Sequence, residues 1–401
     1  MIPDATPLVS RFSDPNGIRL PDEVGIPFTT DHALILEQPM TTSPPSIALA
    51  LQGGGSHGAF TWGVLDRLLR EIAADRLRIA AIGGSSAGAI NAALMVSGLV
   101  QGGPDCARHK LEDFWHSLSR TGFLAGNPFF FGEPSPFGGA NLDWSPIAIA
   151  LEAIGLVVSP YTNPFYADAL APLIAQAFPA ADLVALNAAT TPHLFIGATD
   201  VLSNARAVFT QPDISTDALR ASACLPTEFK AVAIGGTPYW DGGYLGNPAL
   251  SPLVDHAQDL MLVLVNAFHR DGMPPHSARA IMDRLNEITF NASVVLEVNA
   301  IEAINRLLAE LAASGTPYAG HYRPVRLHAI RNDAFVEQLG FVSKNSTSWD
   351  FLSRLREVGY QTADHWLSRH LADVGIRSSF DVKAELTDKV LKAAAPRPAR
   401  A

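Results

Sequence analysis

Apolar and polar positions divide the first hundred residues into four elements. Residues 46–52 (SIALALQ) form an unbroken apolar run that ends in glycines, the pattern of a strand buried on both faces. Residues 58–74 then place Val64, Leu65, Leu68, Leu69 and Ile72 on one stripe, with Asp66, Arg67, Arg70 and Glu71 between them. That spacing predicts an amphipathic helix. Residues 78–83 (RIAAIG) predict a second short strand. Residues 87–100 are apolar all round, as a helix in the middle of a structure would be. Strand, helix, strand, helix in that order implies α/β architecture, with a parallel sheet covered by helices.

Periodicity fades over residues 120–165, where TGFLAGNPFFFGEPSPFGGANLDW mixes Gly, Pro and Phe. Long connections of this kind often serve as lids or binding loops. Phe129, Phe130 and Phe131 there are candidates for an apolar rim that admits substrate, set against simple packing over a sheet edge. Strand character returns at 193–201, 259–267 and 324–330, and helical spacing at 276–314 and 347–373. Residues 1–45, rich in Pro and Thr, read as an irregular leader, and the basic end KAAAPRPARA as a frayed tail.

Two apolar stretches invite a membrane reading and fail it. Residues 81–100 hold a Gly-Gly-Ser-Ser turn, and 146–158 are short and contain Glu152. No basic segment followed by an apolar one opens the chain, so no secretory signal is read, and a cytoplasmic protein is expected. Its 401 residues are 48% hydrophobic and 17% charged, enough to bury a sizeable core. The net charge of −10 and the lack of a basic cluster argue against nucleic acid as a partner. The same charge limits any peripheral membrane contact to local, apolar surface. Cys106 and Cys224 have no CxxC spacing and no metal-ligand company, so two reduced thiols are expected. No metal and no cofactor are expected. Composition leaves the oligomeric state open.

Candidate chemistry begins where the second strand ends. Gly84-Ser85-Ser86-Ala87-Gly88 is a GxSxG between an apolar strand and an apolar helix, the setting in which that motif is informative. Gly84 and Gly88 would let the backbone turn sharply, projecting Ser86 at a helix N-terminus, where peptide N–H groups favour developing negative charge. Ser86 is the candidate nucleophile. The first strand ends in a glycine loop whose Gly53, Gly55 and Gly58 also satisfy GxGxxG. A dinucleotide site further needs an acidic residue closing the second strand, and Gly83, Gly84 and Ser85 stand there instead. The loop better suits an oxyanion, with backbone N–H groups of Gly53, Gly54, Gly55 and Ser56 aimed at it. For a base, His256, His269, His276, His321, His328, His365 and His370 all follow Ser86, and none stands in a distinctive setting. Asp241 does, in YWDGGY, although Asp-Gly-Gly is also an ordinary turn.

Taken together, GGGSHG (53–58), GSSAG (84–88) and DGG (241–243), with GATDV (197–201) and ASACLP (221–226) between them, resemble the patatin-like phospholipase family over residues 46–270. The resemblance implies a three-layer α/β/α fold with a mainly parallel sheet, a catalytic domain over 46–270, and a helix-rich extension over 271–401 packed on it. It also implies lipid ester hydrolysis, on phospholipid or lysophospholipid, through a Ser86–Asp241 dyad. In that dyad Asp241 is the base without a histidine, and the glycine loop is the oxyanion hole. One departure is His57, where many members carry Lys or Arg; it is expected to orient or pack the loop. Short-chain or polyester hydrolysis by the same dyad, or a silent lipid-binding scaffold, are the alternatives.

Overall fold

The computed structural model describes residues 43–121, 159–164, 166–268, 276, 278–316, 318, 320–339 and 341–387. The leader through residue 42, Phe129, Phe130 and Phe131, the apolar stretch 146–158, His269 and the basic tail lie outside these.

Strand β1 (Ser46–Leu51) shows why the chain builds layers. Its Ile47, Leu49 and Leu51 enter one apolar cluster, while Ala48 and Ala50 enter another on the opposite face. Strand β7 (Asp259–Val263) divides the same way, with Met261 and Val263 on one side and Leu260 and Leu262 on the other. Period-two alternation with both faces apolar requires cover on both.

Three helices cover the first face. They are α1 (Gly58–Ala73), α2 (Ala87–Arg120) and α7 (Trp349–His370), which contribute Leu65, Ile90 and Leu355 among others. Helix α6 (Ala278–Ala313) covers the second face with Val294, Val298 and Ile301. Shorter helices α3 (Leu170–Ala177), α4 (Ala180–Ala188) and α5 (Thr216–Ser222) fill the first side. The result is a three-layer α/β/α fold. Among the described residues, no single helix is long and apolar enough to cross a membrane.

The remaining strands are β2 (Arg78–Ser85), β3 (His193–Asp200), β4 (Ala205–Thr210), β5 (Val232–Ile234), β6 (Thr237–Asp241) and β8 (Arg326–Ile330). Among the described residues the sheet runs β5-β6-β3-β2-β1-β7-β8, with β4 pairing β3. Strands β3, β2, β1, β7 and β8 are mutually parallel, and β4 and β6 are antiparallel to β3.

Strand β3 has two partners along one edge. Strand β4 pairs with Phe195–Asp200, so both β2 and β6 must use the other edge. Strand β2 leaves that edge at Ser85, opposite Gly197, and β6 takes it up at Asp241, opposite the next residue, Ala198.

Helices α1 and α7 cross with their backbones in contact. A Cβ on Gly63 would overlap the Arg356 carbonyl, and one on Gly359 would overlap that of Phe60. Near the crossing, buried Asp66 of α1 binds Arg108 of α2 and Arg356 of α7. Helix α2 runs past the expected residue 100, with a break at Gly102–Gly103 just before Pro104. All of these elements belong to one compact unit, Ser43–Ala401. Both cysteines are unpaired; Cys224 is buried and Cys106 half-buried.

Candidate active site

Ser86 and the glycine loop follow the C-terminal ends of the parallel strands β2 and β1, where open α/β sheets bind ligands, and Asp241 ends the antiparallel β6 nearby. Beyond β2 the chain enters α2 through Ser86, whose φ of 55° and ψ of −129° are rare for a residue with a side chain. Such strain costs on the order of 1–3 kcal/mol and persists only where its surroundings enforce it. Here they do. The Ser86 N–H donates to the backbone and the hydroxyl oxygens of Ser222, each at 3.0 Å. Gly84 lies directly against Gly88, and Gly88 against the Leu51 carbonyl, so no Cβ fits at either position. Ser86 is almost fully buried.

The shared edge of β3 brings Asp241 alongside. Its carboxyl is buried, and its main chain is pinned twice. The N–H donates to the Cys224 carbonyl at 2.9 Å, and the carbonyl accepts from Thr199 Oγ1 at 2.8 Å. Oδ1 accepts from the Gly243 N–H at 2.7 Å, while Oδ2 is buried with no hydrogen bond of regular geometry among the described residues. Burial pushes the carboxyl up to about 7; the Gly243 N–H and the Ser86 hydroxyl oppose that rise, and the charge of Glu228 adds to it.

The glycine loop passes on the other side of Ser86. A Cβ on Gly53 would come 2.7 Å from the Ser86 Cβ, which measures how closely the loop approaches. The Gly53 N–H is already engaged, donating to Asn247 Oδ1 at 2.7 Å. Among the described residues, the N–H groups of Gly54 and Gly55 make no hydrogen bond. Gly55 has φ of 58° and lies against the Lys344 carbonyl, so glycine is required there twice over. Ser56 and His57 are buried in the one-turn 3-10 helix Gly55–His57 that leads into α1. His57 Nε2 is 2.7 Å from Ser343 Oγ. Burial and the nearby charge of Lys344 lower its pKa to about 3, so the ring is neutral.

The later histidines find partners elsewhere. His328 bonds Asp259 and Ser379, His370 bonds Asp373, and His256 stacks on His193. Among the described residues none bonds Ser86 or Asp241.

Beneath the loop lies a buried amide network that the sequence did not reveal. Gln52 Oε1 accepts from the N–H groups of Val265 and Asn266, at 2.9 and 3.0 Å, and its Nε2 donates to Asn291 at 2.8 Å. Asn247 and Asn266 both reach the Gly53 carbonyl. A Gln just before the glycines and an Asn six residues past Asp241 are its members nearest the motifs in the chain.

Residues 49–254, just over half the chain, match the sequence model of one family, described as patatin-like phospholipase. No curated protein matches. Among solved structures, VipD from Legionella pneumophila is 15% identical, with a TM-score of 0.39, over 82% of this chain and 67% of that one. ExoU of Pseudomonas aeruginosa, in its heterodimeric complex with SpcU from the type III secretion system, is 16% identical, with a TM-score of 0.35, over 82% of this chain and 52% of that one. The chain thus spans between half and two thirds of these neighbours' lengths.

Proposed function

Since the chain belongs to the patatin-like phospholipase family, and so to the lipid hydrolases, we propose that it cleaves carboxylic esters of lipids through a Ser86–Asp241 dyad. The observation that carries this reading is the register on β3, which sets a strained, projecting serine beside a carboxyl that burial has made more basic. An ordinary aspartate, with a pKa of about 3.9, is a weak base. One raised to about 7 is half ionised near neutrality and suited to accept a proton as the serine attacks.

Attack by Ser86 Oγ on the ester carbonyl forms the tetrahedral intermediate, and its oxyanion falls to the glycine loop. Among the described residues, Gly54, Gly55 and Ser56 are the loop donors that remain uncommitted, while Gly53, held by Asn247, fixes the loop's position. Expulsion of the alcohol, protonated by Asp241, leaves an acyl-enzyme. Water activated by the regenerated carboxylate then releases the fatty acid. A phospholipid or lysophospholipid is the proposed substrate class.

Labelling with a fluorophosphonate, followed by mass spectrometry, tests the proposal. The expected adduct is on Ser86, absent in Ser86→Ala and formed much more slowly in Asp241→Asn. A folded wild-type chain that takes no label, or an adduct on another serine, would overturn the dyad. Release of fatty acid from phospholipid and lysophospholipid vesicles, compared with hydrolysis of short-chain esters, then decides the substrate.

A further inference from the structure

The Gly53 carbonyl ends a chain of hydrogen bonds that begins at a cation. Asn266 Nδ2 donates to it at 3.1 Å and Asn247 Nδ2 at 3.4 Å. Asn266 Oδ1 in turn accepts from Lys344 Nζ at 2.9 Å. The amide of Asn266 cannot be turned over: an ammonium only donates and a carbonyl only accepts, so Oδ1 must face Lys344 and Nδ2 must face Gly53. Asn266 is 3% exposed, so water does not compete for these bonds.

Lys344 is held firmly in this place. Its ammonium sits 5.8 Å from the centre of the Phe290 ring, and that ring's edge fills the space beside Gly243. Its carbonyl presses on Gly55, and its neighbour Ser343 bonds His57. Through Ser343 and Lys344, the segment Phe341–Asn345 is therefore held against the glycine loop.

The Gly53 carbonyl and the Gly54 N–H belong to one peptide group. Hydrogen bonds received at the oxygen polarise that group and make its N–H a stronger donor, and a low dielectric amplifies the effect. We propose that Lys344 is a positioning residue for the hydrolase: acting through Asn266, it orients and polarises the Gly53–Gly54 peptide so that the Gly54 N–H receives the oxyanion. This rests on the function proposed above. The benefit appears only as negative charge develops, so it belongs to kcat rather than to KM. A staple that merely held the loop would change stability and leave the rate of the folded chain unaltered.

The test measures the second-order rate of Ser86 phosphonylation by a fluorophosphonate, with kcat and KM on a soluble p-nitrophenyl ester. It compares the full chain with Lys344→Met, Lys344→Arg and Asn266→Asp, each below its own thermal midpoint. Lys344→Met is expected to lower both phosphonylation and kcat about tenfold, less than the 10²–10³ that loss of a whole donor costs. KM should stay within about twofold. Lys344→Arg should recover most of the rate. Asn266→Asp, which keeps a partner for the cation but withdraws the donor from Gly53, should fall at least as far as the Met variant. A Met variant that reacts at the wild-type rate, or an Arg variant no faster than a slowed Met variant, overturns the proposal. If the Met variant does not fold, Asn266→Asp decides it, and a wild-type rate there overturns it equally. A wild-type chain that takes no label defeats the hydrolase reading itself, whereas a labelled wild type with indifferent variants defeats only this one.

Discussion

Asp241 holds its proton differently in the folded and unfolded chain. Folded, its carboxyl is lifted to about 7; unfolded, it returns to about 3.9. Between those values the native chain binds the extra proton, so stability falls as pH rises through the window, and the full cost is present above about 7. Asp241→Asn should therefore stabilise the fold at pH 8, on the order of a few kcal/mol, and change little near pH 4. The amide can still accept from the Gly243 N–H. Thermal midpoints of the two chains across that range check this, and a variant less stable at pH 8 would contradict it. Turnover should follow the ionised carboxylate, rising through an apparent pKa near 7 and failing in acid. Ser86 and Asp241 were singled out as candidates in the sequence because small residues flank each of them in patterns that mark sharp turns. Asn247, Asn266 and Lys344 were not: amides and lysines are common, and only contact across long sequence separations distinguishes these.

At the scale of elements, legibility followed length and burial. Helices α1, α6 and α7 and strands β1, β3, β7 and β8 appear within a few residues of where their spacing put them. Strands β4, β5 and β6 were missed; most of their residues are half-buried or exposed, so no strong alternation marks them. The extension of α2 was missed because Gly102-Gly103-Pro104 reads as a terminus, whereas the helix resumes beyond it. The crossing of α1 and α7 was hidden as well, since a helical glycine signals weakness rather than contact. Its consequence is measurable. Gly359→Ala adds a methyl where the Phe60 carbonyl lies. Overpacking of about 1–3 kcal/mol should exceed the gain in helix propensity of about 1 kcal/mol. The urea midpoint should fall, and an unchanged midpoint would mean the helices are not in backbone contact.

At the scale of the molecule, residues beyond 320 complete structures begun before 270. Strand β8 closes the edge of β7, α7 covers α1, and Phe341–Asn345 backs the glycine loop. A chain ended at residue 320 should show no cooperative unfolding in urea by far-ultraviolet circular dichroism. A sharp transition in that fragment would show that the first part folds alone.

The shared edge of β3 also sets an order in time. A ribosome that has released only the first 230 residues has made the serine and its elbow but not the carboxylate that faces it. No local segment can substitute, because the pair exists only once β6 has docked where β2 leaves off. A hydrolase relying on this pair would be inert until β6 has been made and docked.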